Sequence, residues 1–78
     1  MARLRLFGPA REAAGLSVDE VDGASVADIL SEAGRRYGPE FGEILGRSKV
    51  WLNGEQVGPE ASVEASDEVA VIPPVSGG

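Results

Sequence analysis

The stretch EVAVIPPVSGG, residues 68–78, indicates where the folded domain ends and a tail begins. Its first five residues alternate in the manner of a strand, with Val69 and Val71 inward and Ala70 and Ile72 outward. Pro73 and Pro74 then remove two backbone donors, so the strand cannot continue as an interior one. We therefore predict a folded domain over 1–72 and a flexible, extended tail over 73–78.

The tail ends on two residues without side chains, Gly77 and Gly78. With Pro73, Pro74, Val75 and Ser76 before them, they could pass through a channel too narrow for any Cβ atom and present a carboxylate at Gly78. A carboxylate is inert at neutral pH, but coupling to AMP makes a reactive acyl group that sulfide or an amine can attack. The alternative is a frayed terminus, which is common in domains. A strand, a Pro-Pro spacer and Gly-Gly together favour a functional tail.

Composition excludes several classes of function. The 78 residues fit one domain, and the absence of cysteine and histidine excludes thiolate nucleophiles, Cys/His zinc sites and histidine-dependent triads. The formal net charge of -6 disfavours nucleic acid. That charge suits a partner with a basic docking face, or it serves only to keep a small protein dissolved. With no apolar run long enough for a membrane span and no signal-peptide pattern, we expect a cytoplasmic protein.

The remaining pattern predicts an α+β fold. Apolar residues recur at helical spacing from Val26 to Tyr37, with Ser25 as the N-cap and Gly38-Pro39 as the stop. The sequence Asn53-Gly54 predicts a tight hairpin. The other predicted segments are a strand over 2–7, a helical turn over 10–15, a strand over 16–21, a short turn around 41–45, strands over 49–52 and 55–57, and a connection to 66. One main helix on a mixed sheet of four or five strands, with the first and last strands parallel in the middle, is the β-grasp (ubiquitin-like) roll.

Three apolar residues are predicted to point away from the core on neighbouring strands: Phe7, Trp51 and Ile72. Because Ile72 directly precedes the tail, we interpret the three as a partner-docking surface. The alternative is that the turn near residues 40–47 half covers one or more of them. No pattern of carboxylates suggests a metal site.

The segments LRLFGPAREAAG, VWLNGE and DEVAVIPPVSGG resemble the MoaD family, the small subunit of molybdopterin synthase. The resemblance implies a sulfur carrier without an active site or bound cofactor of its own. Gly78 would be adenylated by a MoeB-type activating enzyme that uses ATP, and converted to a covalent thiocarboxylate. A MoaE-like large subunit would then use the sulfur to build the dithiolene of molybdopterin from cyclic pyranopterin monophosphate, in a heterotetramer. Phe7 matches an aromatic that meets the large subunit, and the position of Ile72 also fits that contact.

Three other interpretations stay open. One is a sulfur carrier on the same fold for thiazole, cysteine or a special metabolite. A second is a ubiquitin-like protein modifier, which forms isopeptide bonds with target lysines; its own chains could grow only through Lys49, the only lysine, or the N-terminus. The third is a plain interaction domain, for which removing Gly77 and Gly78 changes no pathway.

Overall fold

The computed structural model describes residues 1–74, and these fold into one five-stranded sheet with three helices. The predicted tail residues Val75, Ser76, Gly77 and Gly78 lie outside the described residues. In chain order the elements are β1 (Ala2–Leu6), α1 (Gly8–Ala14), β2 (Val18–Val21), α2 (Val26–Tyr37), α3 (Pro39–Leu45), β3 (Lys49–Leu52), β4 (Glu55–Val57) and β5 (Glu68–Ile72).

The sheet has the strand order β2-β1-β5-β3-β4. Strand β5 lies in the middle, parallel to β1 and antiparallel to β3, and the other pairs are antiparallel. The first and last strands can run parallel because a long crossover separates them in sequence. This arrangement confirms the predicted β-grasp roll.

The inner face of the sheet and helix α2 share one apolar core. Leu4 pairs with Val69 and Leu6 with Val71, and all four are at most 1% exposed. The buried face of α2 consists of Val26, Ile29 and Ala33, as the helical spacing predicted. The helix begins where Ser25 was expected to cap it, since the Ser25 Oγ accepts a hydrogen bond from the Asp28 N–H at 3.2 Å.

The segment after α2 differs from the prediction. In place of a short turn, residues Pro39–Leu45 form helix α3. The expectation that Phe41 of this segment closes the end of the core is confirmed, because Phe41 is completely buried. Gly38, at φ 98°, provides the left-handed backbone that joins the two helices, and Pro39 suits the first turn of the second. The Phe41 ring packs edge-on against Tyr37, with 5.0 Å between the ring centroids.

The connection from residue 58 to residue 66 also does more than expected, because it fastens the start of α2. The Val26 N–H donates to the Ala61 carbonyl at 2.9 Å, and the Val63 N–H donates to the Ala24 carbonyl at 3.0 Å. Val63 itself is only 7% exposed. Because Val63 is a single apolar residue in a polar stretch, no periodic pattern in the sequence predicts that it is buried.

Candidate docking site and tail root

The outer face of the sheet carries a hollow at its centre. Ala70 of β5 pairs with Arg5 on one side and with Trp51 on the other. Because alternate strand residues point to the same face, these three side chains form a row across the sheet. The small methyl of Ala70 leaves room between its two large neighbours.

This hollow is a cavity of about 300 Å³ that contains all three residues of the predicted docking surface. Its lining consists of Arg5, Phe7, Trp51, Gly54, Glu68, Ala70 and Ile72. Phe7 and Ile72 are 41% and 38% exposed, and Trp51 is half-buried. Phe7, Trp51 and Ile72 are called the docking patch below. Among the described residues, none of those numbered 40–47 lines this cavity, although Arg47 borders a neighbouring cavity with Trp51 and Ile72.

Phe7 is held at the edge of the docking patch by the start of α1. Its backbone is extended, at φ -130° and ψ 155°, and its carbonyl accepts hydrogen bonds from the N–H groups of Ala10 and Arg11. The next residue, Gly8, has φ 52°, a conformation that favours glycine. The chain therefore turns sharply after Phe7, and the side chain stays outside the helix that follows.

Trp51 is positioned by the β3–β4 hairpin, in which Asn53 and Gly54 have φ 51° and 90°. Positive φ at both turn residues is the geometry that the Asn-Gly pair predicts. Asn53 has a further role that sequence reasoning missed. Its side-chain amide donates to the Asp67 carboxylate, and its side-chain oxygen accepts from the Glu68 N–H, both at 2.9 Å. These bonds fasten the hairpin to the start of β5.

The charged groups beside the docking patch are engaged with one another. The Arg5 Nε donates to a Glu68 carboxylate oxygen at 3.2 Å, with both side chains 40% exposed. The Asp67 carboxylate accepts hydrogen bonds from the Glu64 backbone N–H and from the Asn53 side-chain amide. These bonds, the first more than the second, hold the pKa of Asp67 below its ordinary value. An exposed pair such as Arg5–Glu68 contributes about 0–1 kcal/mol to stability. Among residues 1–74, the titratable groups that line the cavity are Arg5 and Glu68, and these two are paired with each other.

The root of the tail is fixed to the body. Pro73 is buried and Pro74 is exposed, so the described part of the tail separates from the domain after Pro73. On one side, the two prolines line a cavity of about 210 Å³ with Pro9, Ile44 and Arg47. On the other side, they line a cavity of about 410 Å³ with Arg47, Lys49, Trp51 and Ile72. The docking patch is therefore continuous with the tail root through Trp51 and Ile72.

This fold, with an apolar patch that leads into a proline-fixed tail root, defines the class of small ubiquitin-fold carriers and modifiers. The ThiS family model matches residues 4–78, nearly the whole sequence. The chain belongs to the ThiS family. No curated protein matches it, and none of the helices in residues 1–74 is long and apolar enough to cross a membrane.

Solved structures support the same assignment. Small archaeal modifier protein 1 from Haloferax volcanii is 32% identical, with a TM-score of 0.82 over 99% of this chain and 98% of that one. Its namesake from Methanosarcina acetivorans is 28% identical, with a TM-score of 0.89 over 99% and 95%. The putative subunit 1 of molybdopterin converting factor from Pyrococcus furiosus is 27% identical, with a TM-score of 0.80 over 95% and 97%.

Two neighbours of lower identity share the fold and were solved as complexes. One is the BexX/CysO complex from Amycolatopsis orientalis, in which the matched chain is 24% identical, with a TM-score of 0.85 over 100% of this chain and 100% of that one. The other pairs subunits 1 and 2 of molybdopterin-converting factor from Helicobacter pylori, at 20% identity and a TM-score of 0.75, over 99% of this chain and 97% of that one. The family match and the more similar structures make the protein a ubiquitin-fold sulfur carrier or modifier of the ThiS/MoaD type.

Proposed function

We propose that this protein is the sulfur-carrying small subunit of a molybdopterin synthase. The observation that carries the proposal is the continuity of the docking patch with the tail root, in a chain that the family model matches through residue 78. A partner seated on Phe7, Trp51 and Ile72 would receive the tail immediately beside its anchors. Aromatic side chains in a partly enclosed hollow are the usual energetic centre of such an interface.

The chemistry is that of the Gly78 carboxylate. One of its oxygens attacks the α-phosphorus of ATP in a MoeB-type activating enzyme, and pyrophosphate leaves. Sulfide then attacks the acyl carbon, AMP leaves, and Gly78 becomes a thiocarboxylate. In a MoaE-like large subunit this sulfur is transferred to cyclic pyranopterin monophosphate. This chain contributes the carried group, the Gly77–Gly78 tip that fits a narrow channel, and the docking patch.

A second candidate is a protein modifier, because two of the structural neighbours are small archaeal modifier proteins, one of them 32% identical. In that case an amine of a target lysine displaces AMP from the same acyl adenylate and forms an amide. Both candidates use the same activation step. They differ only in the nucleophile.

The deciding measurement is the intact mass of the protein purified from its own source. An oxygen-to-sulfur replacement mapped to Gly78 supports the carrier, and co-purification with a large subunit that makes molybdopterin supports the specific pathway. Larger species with Gly78 linked to lysine support the modifier. An unmodified Gly78 with no lysine-linked species, in cells that are making molybdopterin, would overturn both and leave a plain interaction domain.

Removal of Gly77 and Gly78 should abolish thiocarboxylate formation by the activating enzyme with ATP and sulfide. A matched variant, Gly77→Ala/Gly78→Ala, keeps the length and adds only two methyl groups, and we expect it to slow the reaction at least about tenfold if the channel excludes Cβ atoms. Neither variant should change the melting temperature, since the core lies between Ala2 and Val71. Unchanged conversion by the deletion variant would contradict the proposal.

A further inference from the structure

The cations of this acidic protein are distributed unevenly. Arg5, Arg35 and Arg36 each form an ion pair with a carboxylate of the same chain. Arg3 lines a polar cavity with three carboxylate residues, Glu20, Asp67 and Glu68, near the start of β1 and β5. The beginning of the two central strands is therefore rich in acid, and the cations there have carboxylates nearby.

The tail root has the opposite composition. Arg47 and Lys49 are both exposed, and they border the cavity that Trp51, Ile72 and the two prolines line. Within residues 1–74, neither cation has a carboxylate within ion-pair distance. Glu40 and Glu43 of α3 are close in sequence to Arg47, but neither lines a cavity at the tail root.

Local charge and net charge thus point to different partners. The net charge of -6 favours a basic partner. The cavity at the tail root, however, is lined by apolar side chains and by Arg47 and Lys49. Interfaces combine an apolar centre with a charged rim, and rim charges act over about one Debye length, roughly 8 Å at physiological salt. At that range Arg47 and Lys49 determine which charge is attracted.

We propose that Arg47 and Lys49 select a partner that carries carboxylates around the entrance to its tail-receiving channel. The inference rests on the proposed function, because it requires a partner that takes up the tail. A protein surface fits better than a small anion. Two long, exposed side chains at the border of an open cavity give a free phosphate no enclosure, whereas carboxylates on a partner rim can meet them as the apolar residues dock.

The test compares two double charge reversals in the full-length protein. Arg47→Glu/Lys49→Glu changes the tail root, and Arg3→Glu/Arg11→Glu makes the same change in formal charge away from the tail-root cavities. Affinity for the activating enzyme of the same organism is measured across a salt series, with the rate of ATP-dependent adenylation in parallel. Melting temperatures of both variants establish that each is folded.

We expect the tail-root reversal to weaken binding about tenfold at low salt, and the control to stay within about threefold of wild type. Added salt should weaken wild-type binding and strengthen that of the tail-root variant, since screening removes attraction in one and repulsion in the other. Exchange of the opposing partner carboxylates for lysine should restore the affinity of the tail-root variant.

Three outcomes would overturn the inference. If both reversals bind as tightly as wild type or more tightly, while wild type is adenylated normally, the cations do not select the partner and the proposed function stands. If inorganic phosphate alone shifts the Lys49 and Arg47 resonances saturably, the cations bind a small anion instead. If wild type is neither bound nor adenylated, the proposed function itself fails, and the inference fails with it.

Discussion

The two faces of strand β5 have different surroundings. Val69 and Val71 are completely buried among the side chains of β1 and α2. Ala70 and Ile72, on the other face, border the open hollow of the docking patch. Because side chains alternate along a strand, core residues and residues of the proposed docking surface are adjacent in one short segment. The two properties should therefore respond to different substitutions.

The largest expected effect in this comparison comes from a pair of neighbouring variants, Val71→Ala and Ile72→Ala. Val71→Ala should lower the free energy of unfolding by about 2 kcal/mol, because it removes two buried methyl groups and leaves a small cavity. Ile72→Ala should lower it by less than about 1 kcal/mol, since that side chain is already 38% exposed. Urea denaturation followed by Trp51 fluorescence measures both.

The ranking should reverse when binding is measured. With the activating enzyme as partner, Ile72→Ala should reduce affinity, and folded Val71→Ala should bind as wild type does. Equal losses of stability from the two variants would mean that the outer face also belongs to the core, and the distinction between the faces would not hold.

Much of this comparison could be predicted from the sequence, since the alternation over 68–72 gave both faces of β5 and the same bounds. The strand order followed from the β-grasp pattern, and it brought Phe7, Trp51 and Ile72 together. The helical form of residues 39–45 was not predicted, for a local reason. Helix α3 contains Gly42 within seven residues, too short a segment to establish a period.

Three other features needed the three-dimensional structure. The bonds of Asn53 to Asp67 and Glu68 bridge 14 and 15 residues. The burial of Pro73 depends on what packs around the end of β5, which no local pattern reveals. The net charge does not show that carboxylates gather near the start of β1 and β5 while Arg47 and Lys49 lie at the tail root, because it gives only the total for the chain.

An effect of similar size, on binding and not on stability, tests the outer face alone. Trp51→Ala should weaken partner binding by about 2 kcal/mol, roughly 30-fold, since it removes the largest side chain of the docking patch. Gln56→Ala is the matched control, because Gln56 pairs with Trp51 across the hairpin but does not line the hollow. Titration calorimetry with the activating enzyme gives both affinities. A Trp51→Ala variant that binds within about twofold of wild type would remove the docking role of the hollow.

The smallest effect concerns the border of the inner face, where β2 meets the end of α2. The Tyr37 hydroxyl donates to the Asp19 carboxylate, which also accepts from Arg36 at 3.0 Å. The Tyr37 bond is the main reason that the pKa of Asp19 lies below 3.8, and burial opposes the shift. Burial raises the pKa of Tyr37, and the hydrogen bond to Asp19 raises it further, so the phenol keeps its proton at neutral pH. Tyr37→Phe should lower the free energy of unfolding by about 1 kcal/mol at pH 7.

The pH dependence gives this prediction its sign. A carboxylate whose pKa is lowered by folding stabilises the protein above its unfolded pKa, and this contribution is lost as the pH falls through the folded value. The difference between wild type and Tyr37→Phe should therefore shrink as the pH falls through the ordinary pKa of Asp19 and below it. Arg35 and Arg36 also lower the pKa of Glu32, so wild type should lose further stability in the same range. A double-mutant cycle with Asp19→Asn isolates the Tyr37 bond from that background, and the two substitutions would prove independent if the cycle showed no coupling at pH 7.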